Sequence, residues 1–323
     1  MRKMGWRLGF LAAFLCVASS AGSAFAAYPD RVIRIIAPYP PGGFTDVVTR
    51  QVAARLTMGL GQSVVVENKP GAGTNIGTES VVRAAADGYT LLMGTSSLAI
   101  NPSLYAKLNY DPVKDLVPLG IFATTGYTLL ANNELPVRNT AELVEYARAR
   151  PDAISFGSSG NGAVNHLAGV QFGTLAGIKM QHIPYRGSQA AITDLIGGRI
   201  QLFWASTLEA LPMVKAGRVR ALGVTDQARV PALGDVPPLG DAVKGYSVQY
   251  WMGLFAPAGT PAPVAQRLSD ALRDATSSPE MQKLLQDSGA AAVYYDPAQA
   301  RDLLDRDIVS WGRAVRESGA QVE

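Results

Sequence analysis

The sequence predicts an α/β protein of two lobes, each a mostly parallel sheet flanked by helices, with a hinged cleft between them. Three observations lead there. Short β-rich runs alternate with helix-period segments through most of the chain. The roughly 300 residues that follow an N-terminal leader exceed what one hydrophobic core usually serves. Two apolar segments, "LGIFATTGYTLLAN" and "YSVQYWMGLFAPAG", are longer than an ordinary strand of about 5–6 residues and suit strands that cross between domains.

The elements follow in order. "RVIRIIAPYP" is a β-rich run, and "FTDVVTRQVAARLTMGLG" then places Val48, Val52 and Leu56 on one helical face before glycines stop it. The unit recurs as "SVVVEN" before "TNIGTESVVRAAA" and as "YTLLMG" before "SSLAINPSLY". Further along, "AISFGS" leads into "GAVNHLAGVQFGTLAG", "QHIPYRG" into "SQAAITDLIGG", and "RIQLFWAS" into "TLEALPMVKAG". Near the C-terminus, prolines open two helical stretches and Gly289 and Gly319 stand near their stops. Leu304, Ile308 and Trp311 there form a stripe expected to pack on the first lobe. The two crossings make the first lobe discontinuous, 27–124 plus 251–323, with 125–250 as the second.

The leader, residues 1–26, carries Arg2, Lys3 and Arg7, an apolar run too short to span a bilayer, and Ala24 and Ala26 around Phe25. This is the pattern of a secretory signal peptide cut before Ala27, so an exported, soluble product is expected. The single cysteine, Cys16, lies inside it. Residues 27–323 therefore hold no disulfide, zinc–thiolate site or cysteine nucleophile. Of the 29 basic residues three lie in the leader and none of the 26 acidic ones does, leaving 26 of each sign. A net charge near zero argues against nucleic acid and against broad electrostatic binding to membranes.

The chemistry narrows at "FGSSGNGAVNHLAG", residues 156–169. A serine hydrolase would need G-x-S-x-G, and neither serine has its glycine at that offset. A secreted hydrolase using Ser159 and His166, with Asp194 or Asp46 as third member, is the enzyme alternative, though one helix carrying both nucleophile and base is not how an independent base approaches. Neither this stretch nor "PPGGFTD" matches a phosphate-loop spacing, and the histidines, His166 and His182, fit no metal motif. What remains is a helix start rich in small polar groups. The first turn of a helix leaves backbone N–H groups unpaired and carries about half a positive charge, so it can hold a carboxylate without a basic side chain. Gly42, Gly43 and Thr45 open another such helix, and Thr95, Ser96 and Ser97 follow a strand. In open α/β sheets ligands sit beyond the carboxyl ends of strands, where these turns fall. Plain N-capping is the competing explanation of each turn.

Taken together, "YPDRVIRIIAPYPPGGFTDVVTRQVAARL", "VVVENKPGAGTNIGTESVVRAAADGYTLLMGTSSLAINPSLY", "LNYDPVKDLVPLG", "GSSGNGAVNHLAG", "HIPYRGSQAAITDLIGGRIQLFW", "VRALGVT" and "WMGLFAPAGTPAPVAQRL" resemble the periplasmic receptors of tripartite tricarboxylate transporters, the Bug-type solute-binding proteins. The resemblance implies a type II-like Venus-flytrap fold that closes over a small carboxylated solute without covalent chemistry, cofactor or metal. It also implies a periplasmic monomer that delivers its ligand to membrane transporter subunits. Carried over position by position, the ligand residues are Tyr39, Pro40, Gly43 and Thr45 from the first turn and Ser158, Ser159, Gly160, Gly162, Ala163 and His166 from the second lobe. Thr95 and Ser96 join them, as do Tyr185 and Arg186 of a segment where many relatives have lysine in place of the arginine. One departure stands out: Ala205 occupies a position where many relatives carry aspartate, with Gln201 replacing an earlier acidic residue. Loss of that carboxylate weakens the case for an amino-acid ligand. Trp204 either stacks on an aromatic or aliphatic acid in the cleft or fills the core. Di- and tricarboxylates, aromatic acids and neutral amides all remain open, as does a sensor that signals to a membrane partner through the same fold.

Overall fold

The computed structural model describes residues 28–322, so the leader lies outside the described residues. The first lobe opens with β1 (Ile33–Ala37), α1 (Phe44–Leu60), β2 (Val64–Asn68), α2 (Asn75–Val82), β3 (Thr90–Thr95), α3 (Ser97–Leu104) and β4 (Leu116–Thr125). The second follows as β5 (Tyr127–Ala131), α4 (Thr140–Ala149), β6 (Ser155–Ser158), α5 (Val164–Ala176), β7 (Gln181–Pro184), α6 (Ser188–Ile196), β8 (Leu202–Ser206), α7 (Thr207–Lys215), β9 (Arg220–Val224) and α8 (Leu239–Ala242). The chain then returns to the first lobe through β10 (Tyr250–Pro257), α9 (Ala262–Thr276), α10 (Pro279–Asp287), β11 (Ala291–Tyr295) and α11 (Pro297–Ser318).

Two sheets result, six strands ordered β11-β4-β10-β3-β1-β2 and five ordered β7-β6-β8-β5-β9. Both are mixed, and the antiparallel members have a common cause. A strand that begins at a crossing must run outward from it. Accordingly β10 is antiparallel to β3 and β4, and β5 is antiparallel to β8 and β9. The strands parallel to one another, β1 with β2 and β3, and β6 with β7 and β8, end facing the other lobe. Their carboxyl ends therefore frame the space between the lobes.

Gly126, which is buried, is the single residue between β4 and β5, where the chain changes sheet. The return is as abrupt. The Val248 N–H still donates to Thr225 O of the second lobe at 3.3 Å, whereas the Trp251 N–H already donates to Ser96 Oγ of the first at 3.0 Å. Thr225 Oγ1 ties the two crossings together, accepting from Tyr127 N at 2.8 Å and donating to Val248 O at 2.5 Å.

Val48, Val52 and Leu56 of α1 are fully buried, as their spacing requires. The C-terminal stripe behaves differently from its expectation. Leu304 and Trp311 of α11 are buried in a cluster that also holds Leu98 and Leu104 of the first lobe and Leu167 and Phe172 of the second. Polar contacts follow the same seam: Gln171 Nε2 donates to Ser310 Oγ at 3.3 Å and Thr174 Oγ1 to Glu317 Oε2 at 3.0 Å. Thus α11 packs on both lobes: Arg301 reaches Leu116 O of β4 and Gly312 lies against Ser103 of α3, while Ser310 and Glu317 meet α5. No helix among the described residues is long and apolar enough to cross a membrane.

Candidate functional site

On the first lobe, β1 ends in a turn whose Pro40 and Gly43 are exposed and which delivers the chain into α1. Gly43 is the N-cap and has no side chain to offer, so the first N–H groups of α1 receive no side-chain cap. Asp46 lies in that first turn and would cancel the helix's positive end if it stood alone. It does not. Arg50 Nε donates to Asp46 Oδ2 at 3.1 Å, Gly42 N to the same oxygen at 2.9 Å, and Asn68 Nδ2 to Oδ1 at 2.7 Å. Burial pushes this carboxyl up, but those donors outweigh it and hold the pKa at about 2. The ion pair leaves the helix end free to attract an anion.

Beside this turn lies a line of hydroxyls. Tyr39 Oη is 2.5 Å from Thr95 Oγ1, Tyr250 Oη donates to Tyr39 Oη at 3.4 Å, and Thr45 Oγ1 is 3.4 Å from Tyr250 Oη. Burial first, and then the neighbouring Tyr250, push the Tyr39 phenol well above its usual range, so it stays protonated. Ser96, expected to contact ligand, is fully buried and otherwise employed: its Oγ accepts from Trp251 N at 3.0 Å and reaches Gln249 O at 3.4 Å. It clamps the returning crossing.

On the second lobe the expectation about donors needs correction. The N–H groups of Ser159, Gly160 and Gly162 are not free. Asn165 Oδ1 accepts from both the N–H and the hydroxyl of Ser159 at 3.1 Å, Ser158 Oγ accepts from Gly160 N at 3.1 Å, and His166 Nδ1 accepts from Gly162 N at 3.1 Å. The turn closes on itself so that α5 can start at a fixed place. Ala163, its N-cap, offers no side-chain cap, and the uncapped donors are those of Val164, Asn165 and His166.

Ser158 is fully buried, with its Oγ 2.7 Å from His182 Nε2 and 3.0 Å from Gly160 O. The rings of His166 and His182 stack with centroids 3.7 Å apart. Burial, and for His166 the neighbouring His182 as well, pushes both imidazoles down to about 4, so both are neutral near pH 7. The Ser159–His166 pair that a hydrolase would need does not form, since Ser159 is bound to Asn165 and His166 to Gly162. His166 supports the turn instead of acting as a base.

Tyr185, Arg186 and Trp204 stand in three different settings. Tyr185 packs into the second-lobe core, and its hydroxyl donates to Asp194 Oδ2 at 2.9 Å. Arg186 is exposed and makes no ion pair among the described residues. Trp204 has no exposed surface and meets Phe156 and Phe172 with ring centroids 5.6 Å away in each case. It lies on the α5 face of the sheet, because strand alternation sends Trp204 to one core and Ala205 to the other. The Trp204 indole N–H is buried without a partner. Trp204→Phe is therefore expected to cost only about 1–2 kcal/mol of stability and to leave ligand affinity within about twofold, measured by thermal unfolding and calorimetry. Gln201 is engaged within the second lobe: its Oε1 accepts from Ser155 N and Oγ at 3.0 and 2.8 Å.

Tyr250, Asn165 and His182 escaped sequence reading. Tyr250 sits in an apolar crossing run, and its hydroxyl partner is 211 residues away in sequence. The lobes touch directly beside α5. A Cβ built on Gly162, whose φ is +75°, would lie 2.6 Å from both Leu104 methyls at the end of α3. No group of three or more potential metal ligands occurs among the described residues.

Comparison with known proteins places this geometry. Residues 48–320 match the family described as "Tripartite tricarboxylate transporter family receptor". The protein BugT of Bordetella pertussis is 33% identical over 324 residues, covering 98% of each chain. Among solved structures, Rpa4515 of R. palustris with adipate superposes with a TM-score of 0.77 at 32% identity, covering 91% of this chain and 100% of that one. MatC of Rhodopseudomonas palustris with bound malate gives 0.71 at 29% identity, covering 89% and 100%. The two-lobed fold is shared with these solved relatives, and the chain belongs to the tripartite tricarboxylate transporter receptor family.

Proposed function

We propose that this protein is a periplasmic receptor that captures a small carboxylate between its lobes and presents the closed form to membrane transporter subunits. The observation that carries this reading is the pair of uncapped helix starts, α1 and α5, each at the carboxyl edge of its sheet. Such a start offers several N–H groups and a positive dipole end, and suits an anion. Closure strengthens the interaction, since a charge meets aligned dipoles in lower effective dielectric once water leaves. Tyr39, Gly43 and Thr45 would line one side, and Val164, Asn165 and His166 the other, with Arg186 at the rim. Pro40 shapes the first turn; Ser158, Ser159, Gly160, Gly162 and Ala163 hold the second in place. The relatives solved with adipate and malate support a carboxylate as the ligand class.

The leader fits export to the periplasm, and the family description fits delivery to a transporter. Mass spectrometry of small molecules released on denaturing protein purified from its native host tests the reading. A stoichiometric carboxylic acid is expected; a stoichiometric cation or neutral sugar in its place would overturn it.

A further inference from the structure

We propose that the ligand is a hydroxycarboxylate and that Tyr250 reads its hydroxyl group; this rests on the carboxylate-receptor reading above. The hydroxyl line beside the first turn limits which substituents can lie against it. Thr45 is the second residue of α1, and its Oγ1 lies 3.4 Å from Tyr250 Oη, so the line starts inside the helix turn assigned to the carboxylate. From there it runs through Tyr250 and Tyr39 to Thr95, which also accepts from Ser97 N at 3.3 Å. A substituent one or two carbons from a carboxylate held on α1 would meet these hydroxyls.

Three kinds of substituent can be compared. A second carboxylate is disfavoured. The line contains no cation, and the nearby Arg50 is engaged by Asp46 and Asn68. The charged side chain that comes near from the other lobe is an acid and not a base: Glu209, at the start of α7, neighbours Tyr127, as Tyr250 does. An alkyl group is disfavoured for a different reason. It would strip water from hydroxyls of Tyr39, Thr45 and Tyr250 whose mutual contacts, at 3.4 Å, are too long to replace it. An ammonium would want an anion in direct contact, and Glu209 is held by Ser206, whose N–H and Oγ donate to its Oε2 at 3.1 and 2.7 Å.

A ligand hydroxyl fits. It both donates and accepts, as each member of the line does, so it can enter between Tyr250 and Thr45 without leaving a donor or acceptor unmatched. The tyrosine and threonine protons reorient by bond rotation, and no ionisation is needed. Tyr250 is the member best placed to discriminate, because it alone contacts both Tyr39 and Thr45.

The test is calorimetric titration of the signal-free protein, Tyr250→Phe and Thr45→Val with matched pairs: succinate and malate, glutarate and 2-hydroxyglutarate, propionate and lactate. In each pair that binds, the hydroxylated member should bind wild type about tenfold more tightly, and Tyr250→Phe should bring the ratio close to one. Thr45→Val, should Tyr250→Phe fail to fold, is expected to reduce the same ratio. A wild-type ratio of one or less overturns the proposal, as does a Tyr250→Phe variant that weakens both members equally. Absence of binding by all six acids also overturns the proposal, whereas the carboxylate reading on which it rests falls only if a wider panel with tricarboxylates, adipate and aromatic acids fails to bind as well.

Discussion

Gly162→Asp is expected to abolish ligand binding, weakening it more than about a hundredfold, while the protein stays folded. The residue combines three properties that a side chain would violate at once. Its φ of +75° favours glycine, so any replacement costs about 1 kcal/mol. Its absent Cβ leaves room for Leu104 of the other lobe, whose methyls would stand 2.6 Å away and whose side chain is itself buried. Its position, one residue before the N-cap of α5, would bring a negative charge close to the helix end that is proposed to hold the ligand's carboxylate. Gly162→Ala separates these effects. It introduces the wedge and the backbone cost without charge, and should weaken binding by about tenfold, with a melting temperature lower by about 2–4 °C in both variants. An aspartate variant that is folded and binds as well as wild type would remove the α5 start from the site.

The second large effect concerns the crossing itself. Asp226 follows β9, and its carboxyl presses on Gly126: a Cβ built there would lie 1.8 Å from Asp226 Oδ2. That oxygen is buried with no hydrogen-bond partner. The surrounding charged side chains are committed elsewhere, Arg229 to Asp235 and Asp287 to Lys283. Burial pushes this carboxyl up to about 6. The sign follows from the raised value. An unfolded aspartate ionises near 3.9, so above that pH the folded state increasingly resists a charge that the unfolded state carries freely. The cost is absent below about pH 4, grows between there and pH 6, and is complete above. Two units correspond to about 3 kcal/mol, and some exposure of the side chain reduces this toward about 2. Asp226→Asn removes the charge and keeps the shape. Its melting temperature should exceed wild type by about 5 °C at pH 7.5 and match it at pH 4, in thermal scans across that range. Equal melting temperatures at pH 7.5 would show that the carboxyl finds a partner there.

How much of this the sequence disclosed depends on the range of the interactions concerned. Local periodicity was sufficient for α1, where Val48, Val52 and Leu56 are all buried, whereas the two long apolar runs stood out by length and not by period. Strand direction was not local: β5 and β10 run antiparallel to their neighbours because each starts at a crossing, which no strand's own residues record. The helix starts were legible as clusters of glycine, serine and threonine. Which of their donors remain free was not, since Asn165 and His166 had to be seen turning back onto Ser159 and Gly162. Trp204 illustrates the same limit at one residue. Its place at a strand end fitted either face, and only the neighbouring Phe156 and Phe172 assign it to the core. Tyr250 was hidden because a tyrosine in an apolar strand reads as core until its hydroxyl is seen beside Tyr39.

The central claim, that the lobes close on a carboxylate held by helix N-termini, is tested most directly by calorimetric titration of ligand-free protein. A panel of mono-, di- and tricarboxylates should be run beside the corresponding amides. Saturable one-to-one binding of at least one acid is expected, with its amide at least about tenfold weaker because the amide lacks the negative charge that the dipole ends attract. No saturable binding by any acid, or equal binding of acid and amide, would contradict it.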